Sequence, residues 1–269
     1  MIHWYLNMTC CCRWLNAKSD YFSVLTGTKQ GGVLSPIIFT VYMDDLIVLL
    51  RHSGVGCHII DVFLACLLYA DDLCLISPSR GSMQKLLSIC EDYCQRFCLS
   101  FNTKKSKVLI FGNVKDIPVS PLTLNSQQIE FVHEWAYLGT TIVSGREISF
   151  AHTSDLRRFY CSVNSILSVM RKPNELVLMF LLYNICVPTL TYAADVKVFK
   201  HGDMHKCNVA LNDAIRRIFS YKRWESPREL RQQLNYPNVY EIFHSRTTGF
   251  LKKCQTSSNG IIAFLANKL

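Results

Sequence analysis

Hydrophobic spacing changes character along the chain. Pro36 to Leu50 carries Ile37, Ile38, Val41, Leu46, Val48 and Leu49 without a breaker after the proline, which predicts a helix opened by Ser35-Pro36 as N-cap and first turn. Two unbroken apolar runs follow, Val62–Leu68 and Leu73–Ile76, separated by Tyr69-Ala70-Asp71-Asp72. Runs this short, joined by a polar tetrapeptide, predict a buried hairpin with two carboxylates at its tip. Met83, Leu86, Leu87, Cys90, Cys94 and Phe97 recur at helical intervals. Strands are expected at Tyr21–Thr26, Val108–Phe111 and Tyr137–Val143, with Pro118 and Pro121 bracketing a loop. From about His152 the pattern becomes wholly helical. Met204, Cys207, Leu211, Ile215 and Ile218 share one face, and Ser226-Pro227-Arg228-Glu229 reads as a capping box with proline in the first helical position. The expected fold class is α+β: an antiparallel sheet with helices over residues 1–146, then an all-helical region over 147–269.

Leu176 to Ala194 contains no charged residue, but Asn184, Pro188, Thr189, Thr191 and Tyr192 interrupt it. A buried helix ending near Pro188 is expected there rather than a membrane span. The 13 cysteines do not follow zinc-ligand spacings. Cys90, Cys94 and Cys98 fall on a helical core face, and with no secretory signal at the N-terminus the thiols are expected reduced, in nucleus or cytoplasm.

Charge sharpens the division. The net charge is +9, yet residues 1–145 carry 11 Lys and Arg against 11 Asp and Glu, whereas residues 146–269 carry 18 against 9. A neutral lobe joined to a basic one suggests a polyanionic partner, since binding phosphates releases counterions; solvated helix faces remain the alternative.

Two acidic pairs compete for a catalytic role, Asp44-Asp45 in YMDDL and Asp71-Asp72 in YADDL. Adjacent helical residues point about 100° apart, so at least one of Asp44 and Asp45 should reach solvent freely, and their ordinary reading is a polar helix face. Two carboxylates at the end of an apolar hairpin repel each other, and a divalent cation would compensate them. The local chemistry favours Asp71 and Asp72.

In order, Gln30-Gly31-Gly32-Val33-Leu34-Ser35-Pro36, Tyr69-Ala70-Asp71-Asp72, Asn102-Thr103-Lys104-Lys105-Ser106-Lys107 and Tyr137-Leu138-Gly139 resemble motifs B, C, D and E of the reverse transcriptases of non-LTR (LINE-type) retrotransposons. Val187–Tyr192 and Ala214–Ile218 are similar to segments beyond that polymerase core. The resemblance implies a right-hand polymerase, with a partial palm over 1–146 and a helical thumb over 147–269. It implies two Mg²⁺ ions, held by Asp71 and Asp72, that activate a primer hydroxyl and neutralise the leaving pyrophosphate. Gln30, Gly31, Gly32, Tyr69 and Ala70 would lie against template and nucleotide. Lys105 would act at the triphosphate, with Lys104 and Lys107 left open as alternatives, and Tyr137, Leu138 and Gly139 would form the primer grip.

The implied partners are an RNA template, a DNA primer and deoxynucleoside triphosphates, with no membrane. Arg157, Arg158, Arg216, Arg217, Lys222 and Arg223 are spread over the helical half as duplex-backbone contacts would be. The family's third carboxylate belongs to motif A, upstream of motif B, and the residues before Gln30 do not resemble it. The expectation is therefore a chain truncated at its N-terminus, lacking motif A and the fingers, with little polymerase activity by itself. The alternative is a non-catalytic nucleic-acid-binding relic.

Overall fold

The computed structural model describes residues 8–24, 27, 31–113, 120–169 and 174–268. Helices and short strands mix in the first part and helices fill the last, so the chain is α+β. It divides into two compact units, Met1–Thr103 with Val119–Ile129, and Lys104–Pro118 with Glu130–Leu269.

In the first unit, two small hairpins, β1 (Thr9–Cys10) with β4 (Phe22–Ser23) and β2 (Arg13–Trp14) with β3 (Ala17–Lys18), precede helix α1 (Ser35–His52). The expected N-cap moves by one residue: Leu34 caps α1 without a side-chain hydrogen bond, and Ser35 is already helical. Met43, Leu46 and Leu50, three and four apart, are buried against helix α2 (Arg80–Arg96) through Leu86, Cys90 and Tyr93. Tyr93 fixes the pair by donating its hydroxyl to the Tyr42 carbonyl at 2.5 Å, and Tyr42 donates to the Phe97 carbonyl at 2.7 Å. Cys90 and Cys94 lie on this buried face, but Cys98 does not: it falls beyond the helix end with a φ of 54° and is exposed.

The run Val62–Leu68 does not form one strand. Its first part, β6 (Val62–Phe63), pairs with β5 (His58–Ile59), and its second, β7 (Cys66–Tyr69), pairs with β8 (Asp72–Leu75). The break falls at the fully buried Ala65, where Gly56 crosses so closely that a β-carbon on it would stand 2.2 Å from the Ala65 β-carbon. Only glycine permits that approach at its φ of +105°.

Beyond β9 (Lys107–Val108), β10 (Thr123–Leu124) and β11 (Gln127–Gln128) form a hairpin that the hydrophobic pattern does not predict. Asn125 and Ser126 turn it with φ values of 52° and 60°. The α2 side chain Gln84 holds it by accepting from Thr123 N and donating to Thr123 O, each at 3.0 Å.

The second unit contains β9 paired in parallel with β12 (Glu130–Phe131), and a three-stranded antiparallel sheet of β13 (Glu134–Tyr137), β14 (Thr140–Val143) and β15 (Ser149–Ala151). The strand expected at Val108–Phe111 keeps only its first residue in the ladder, because Val132 N closes the pairing on the Val108 carbonyl. Helices α3 (Thr153–Val169), α4 (Glu175–Leu181), α5 (Val187–Leu190), α6 (His201–Ile218), α7 (Arg228–Gln233), α8 (Val239–Gln255) and α9 (Gly260–Ala266) follow. Phe159, Met179, Leu182, Leu190, Leu211 and Ile215 form their core.

The helix expected to stop near Pro188 instead passes through it. Between α4 and α5 the chain widens into a π turn, Leu182–Cys186, where Val187 N donates to the Leu182 carbonyl. Proline has no N–H to give the carbonyl four residues back, and the wider turn accommodates its ring. The capping box expected at Ser226 is not formed: Pro227 is the N-cap of α7. A capping box occurs one helix later, with Asn238 and Glu241 bonding reciprocally at the start of α8. Among the described residues, no helix is long and apolar enough to cross a membrane.

Candidate functional site

The register Tyr69 opposite Asp72 leaves Ala70 and Asp71 as the two-residue turn between β7 and β8. Ala70 has a φ of 51°, a left-handed conformation that a residue with a β-carbon adopts at a cost. The hairpin tolerates it because Leu68 and Leu73, just inside the turn, pack on the first unit's core. Asp71 and Asp72 are both exposed, as is Tyr69. Two carboxylates open to solvent are oxygen donors of the kind Mg²⁺ takes together with substrate phosphates, so the donor set fits that ion. Among the described residues, no cluster of three His, Cys, Asp or Glu residues is placed to hold a metal. The hairpin therefore presents two ligands and not a closed cage.

Asp44 and Asp45 stand on the exposed side of α1, flanking neither a turn nor a pocket, between buried Met43 and Leu46. Burial pushes the Tyr93 hydroxyl up from its ordinary value, and the Asp45 charge adds to that. YMDDL is a solvated helix face over a packed core.

Of the motif B residues, Gln30 lies outside the described residues. Gly31 turns with a φ of 78° and is exposed, and the Gly32 carbonyl accepts from Ser35 N at 3.2 Å at the start of α1. Lys105 is exposed in a turn that belongs to the second unit. Its neighbour Lys107 is committed elsewhere: it pairs with Glu130 at 2.5 Å and sits 5.7 Å from the Trp135 ring centre. Of the three lysines left open by the sequence, Lys107 has its ammonium held by Glu130.

Tyr137-Leu138-Gly139, expected within a continuous strand, instead closes the hairpin between β13 and β14. Tyr137 pairs with Thr140, and the turn residues Leu138 and Gly139 have φ of 46° and 77°. Both angles positive is the primed turn that suits the twist of adjacent strands. Two side chains from the helical part hold it. Tyr192 donates its hydroxyl to the Leu138 carbonyl at 3.0 Å, and its ring lies where a β-carbon on Gly139 would approach to 3.1 Å. Arg158 reaches the Gly139 carbonyl at 3.4 Å while bonding Asp155 at 2.6 Å.

Asp155 is buried and also bonds Lys197 at 2.8 Å, whose side chain is fully buried, with His152 Nδ1 3.8 Å away. Burial alone would raise the Asp155 carboxyl; His152, Lys197 and Arg158 outweigh it and hold the group below the usual carboxylate range. Tyr192, Asp155 and Lys197 were not singled out from sequence. The available signal was a lone acid in the first turn of a helix and a lone lysine between Val196 and Val198.

The six basic residues expected on nucleic acid fare differently. Arg157 and Arg223 are exposed. Arg158 is tied to Asp155, Arg216 donates to the Glu225 carbonyl at 2.8 Å, and Arg217 donates to Asn164 Oδ1 at 2.8 Å. The Lys222 ammonium lies 5.4 Å from the centre of the Trp224 ring.

Residues 2–142 match the family described as reverse transcriptase (RNA-dependent DNA polymerase). Over 256 residues the chain is 21% identical to the RNA-directed DNA polymerase from mobile element jockey of Drosophila melanogaster, covering 91% of this chain and 27% of that protein. It is 24% identical over 211 residues to the retrovirus-related Pol polyprotein from type-2 retrotransposable element R2DM of the same species, covering 74% and 19%. With the type-1 element R2 polyprotein of Nasonia vitripennis it shares 29% identity over 134 residues, covering 46% and 13%. The chain belongs to the reverse transcriptase family, and it is a reverse transcriptase domain of the non-LTR retrotransposon kind. It spans about a quarter or less of the length of these relatives.

Proposed function

We propose that the chain serves RNA-templated DNA synthesis, with residues 1–146 acting as a partial polymerase palm and 147–269 as a thumb. The observation that carries this is the β7–β8 turn, which exposes Asp71 and Asp72 on a strained but anchored backbone. Asp71 is the principal Mg²⁺ ligand and Asp72 its acidic neighbour. Bound there, Mg²⁺ supplies charge neutralisation for nucleotidyl transfer. Lys105 Nζ donates a proton to the leaving pyrophosphate. Gln30, Gly31 and Gly32 face template and nucleotide, and Tyr137, Leu138 and Gly139 support the primer end. The partners are an RNA template, a DNA primer and deoxynucleoside triphosphates.

A third oxygen donor is needed to close the metal site, so synthesis by the 269-residue chain is weak. Primer extension on an RNA template with Mg²⁺ tests this. Weak synthesis removed by Asp71→Asn and unchanged by Asp44→Asn is expected, whereas synthesis that survives Asp71→Asn overturns the site. Binding of an RNA–DNA hybrid with no synthesis at all favours the second reading, a non-catalytic nucleic-acid-binding domain, which rests on the basic excess of residues 146–269.

A further inference from the structure

A cavity of about 230 Å³ opens in the second unit between α6, α7 and α8, lined by Asn208, Asn212, Ser226, Arg228, Arg231 and Tyr240 among others. Its floor holds an electrostatic anomaly. Arg231 is buried, with 8% of its surface exposed, and its guanidinium meets the neutral Asn212 Oδ1 at 3.1 Å. No ion pair among the described residues includes Arg231 or Arg228. Glu225 accepts from Lys222 N and Glu241 from Asn238 N, and neither is paired with either arginine.

A guanidinium stays protonated at any physiological pH, and burying it without an anion is costly. Asn212 occupies one direction of a five-donor fork. A second polar atom on the same wall is also unsatisfied, since the buried Asn208 Oδ1 has no hydrogen-bond partner. Exchanging oxygen and nitrogen in that amide would turn a donor to the cavity. The cavity is several times the volume a water occupies, about 30 Å³. Its rim adds Arg228, the Ser226 hydroxyl and the Tyr240 hydroxyl, and no acid lines it.

We propose that this cavity is a phosphate-binding site, with Arg231 as the buried anchor and Arg228 as the rim cation, and that its occupant is a phosphodiester of a bound polynucleotide strand. Planar, two-pronged recognition of a tetrahedral oxyanion is what a fixed guanidinium does best. The choice of a strand rests on the nucleic-acid reading above; the anion site itself does not. The basic stretch Lys222-Arg223 falls between the lining residues Asn212 and Ser226 in sequence, and the unit as a whole is cationic.

The test uses the full chain, titrated by calorimetry with inorganic phosphate and by fluorescence anisotropy with an RNA–DNA hybrid over a range of salt. Wild type should bind phosphate in the millimolar range and phosphate should compete with the hybrid. Arg231→Gln and Arg228→Gln should each weaken phosphate binding roughly tenfold and lower the salt slope of hybrid binding by about one. Arg228 is exposed, so its variant retains the fold even if Arg231→Gln does not. Phosphate binding that Arg228→Gln weakens, with hybrid binding and slope unchanged, identifies free phosphate as the occupant and overturns the strand assignment. Phosphate binding by a chain that binds no hybrid overturns the nucleic-acid reading and leaves the anion site standing. Absence of phosphate binding by wild type, or binding that Arg228→Gln and a folded Arg231→Gln leave unchanged, overturns the site.

Discussion

Asp155 shows how one buried charge can organise a functional turn from a distance. Its carboxylate, desolvated in the helical core, is balanced by Lys197 and Arg158, and Arg158 passes the constraint to the Gly139 carbonyl. Removing one member of a buried pair strands the other, at roughly 3–5 kcal/mol. Lys197→Met is therefore expected to lower the urea midpoint of the second unit sharply, while Lys206→Met, on an exposed pair with Asp203, changes it little. The sign of the pH effect follows from the lowered Asp155 value. Its contribution is complete above the unfolded-state pKa near 3.9 and is lost as pH falls through the lower folded value. Urea melts from pH 6 to pH 2 should show this loss in wild type, and Asp155→Asn, which removes the titrating group, should flatten that component. None of this was legible in sequence, because a pairing 42 residues long depends on packing and leaves no local periodicity.

Elements were read most securely where spacing and burial agree. Helices α1, α2 and α6 appear close to their expected ranges, because each repeats apolar residues on one face over several turns. The YADD hairpin was legible for a different reason: two apolar runs around a polar tetrapeptide leave few other arrangements. Two other tight turns were not. Asn125-Ser126 and Leu138-Gly139 both close tight hairpins, and in each a residue with a β-carbon takes a positive φ that spacing does not reveal. Gly139→Ala probes the second turn. Its β-carbon meets both an unfavourable φ and the Tyr192 ring, so a stability loss of ~1–2 kcal/mol is expected by chemical denaturation. Gly31→Ala has no such neighbour and should cost only the backbone part, provided its own turn persists.

For the whole molecule, the family was legible because four short motifs keep their order, although none of them alone fixes a fold. What the sequence could not reveal is which basic residues are free to meet a polyanion. Six were expected on a duplex, and four of those touch protein groups, although Arg158, Arg217 and Lys222 are exposed as Arg157 and Arg223 are. Arg157→Gln with Arg223→Gln should reduce the salt slope of hybrid binding by about two and weaken affinity alike for every sequence tested, whereas Arg217→Gln should change it less. Anisotropy titrations at several salt concentrations measure both. The seating of the Leu138-Gly139 turn under Tyr192 has one more consequence, for descent rather than for chemistry. Positions 139 and 192 are expected to drift as a couple: a lineage that places a side chain at 139 while the ring stays at 192 carries the strain of that contact until the ring shifts or is lost.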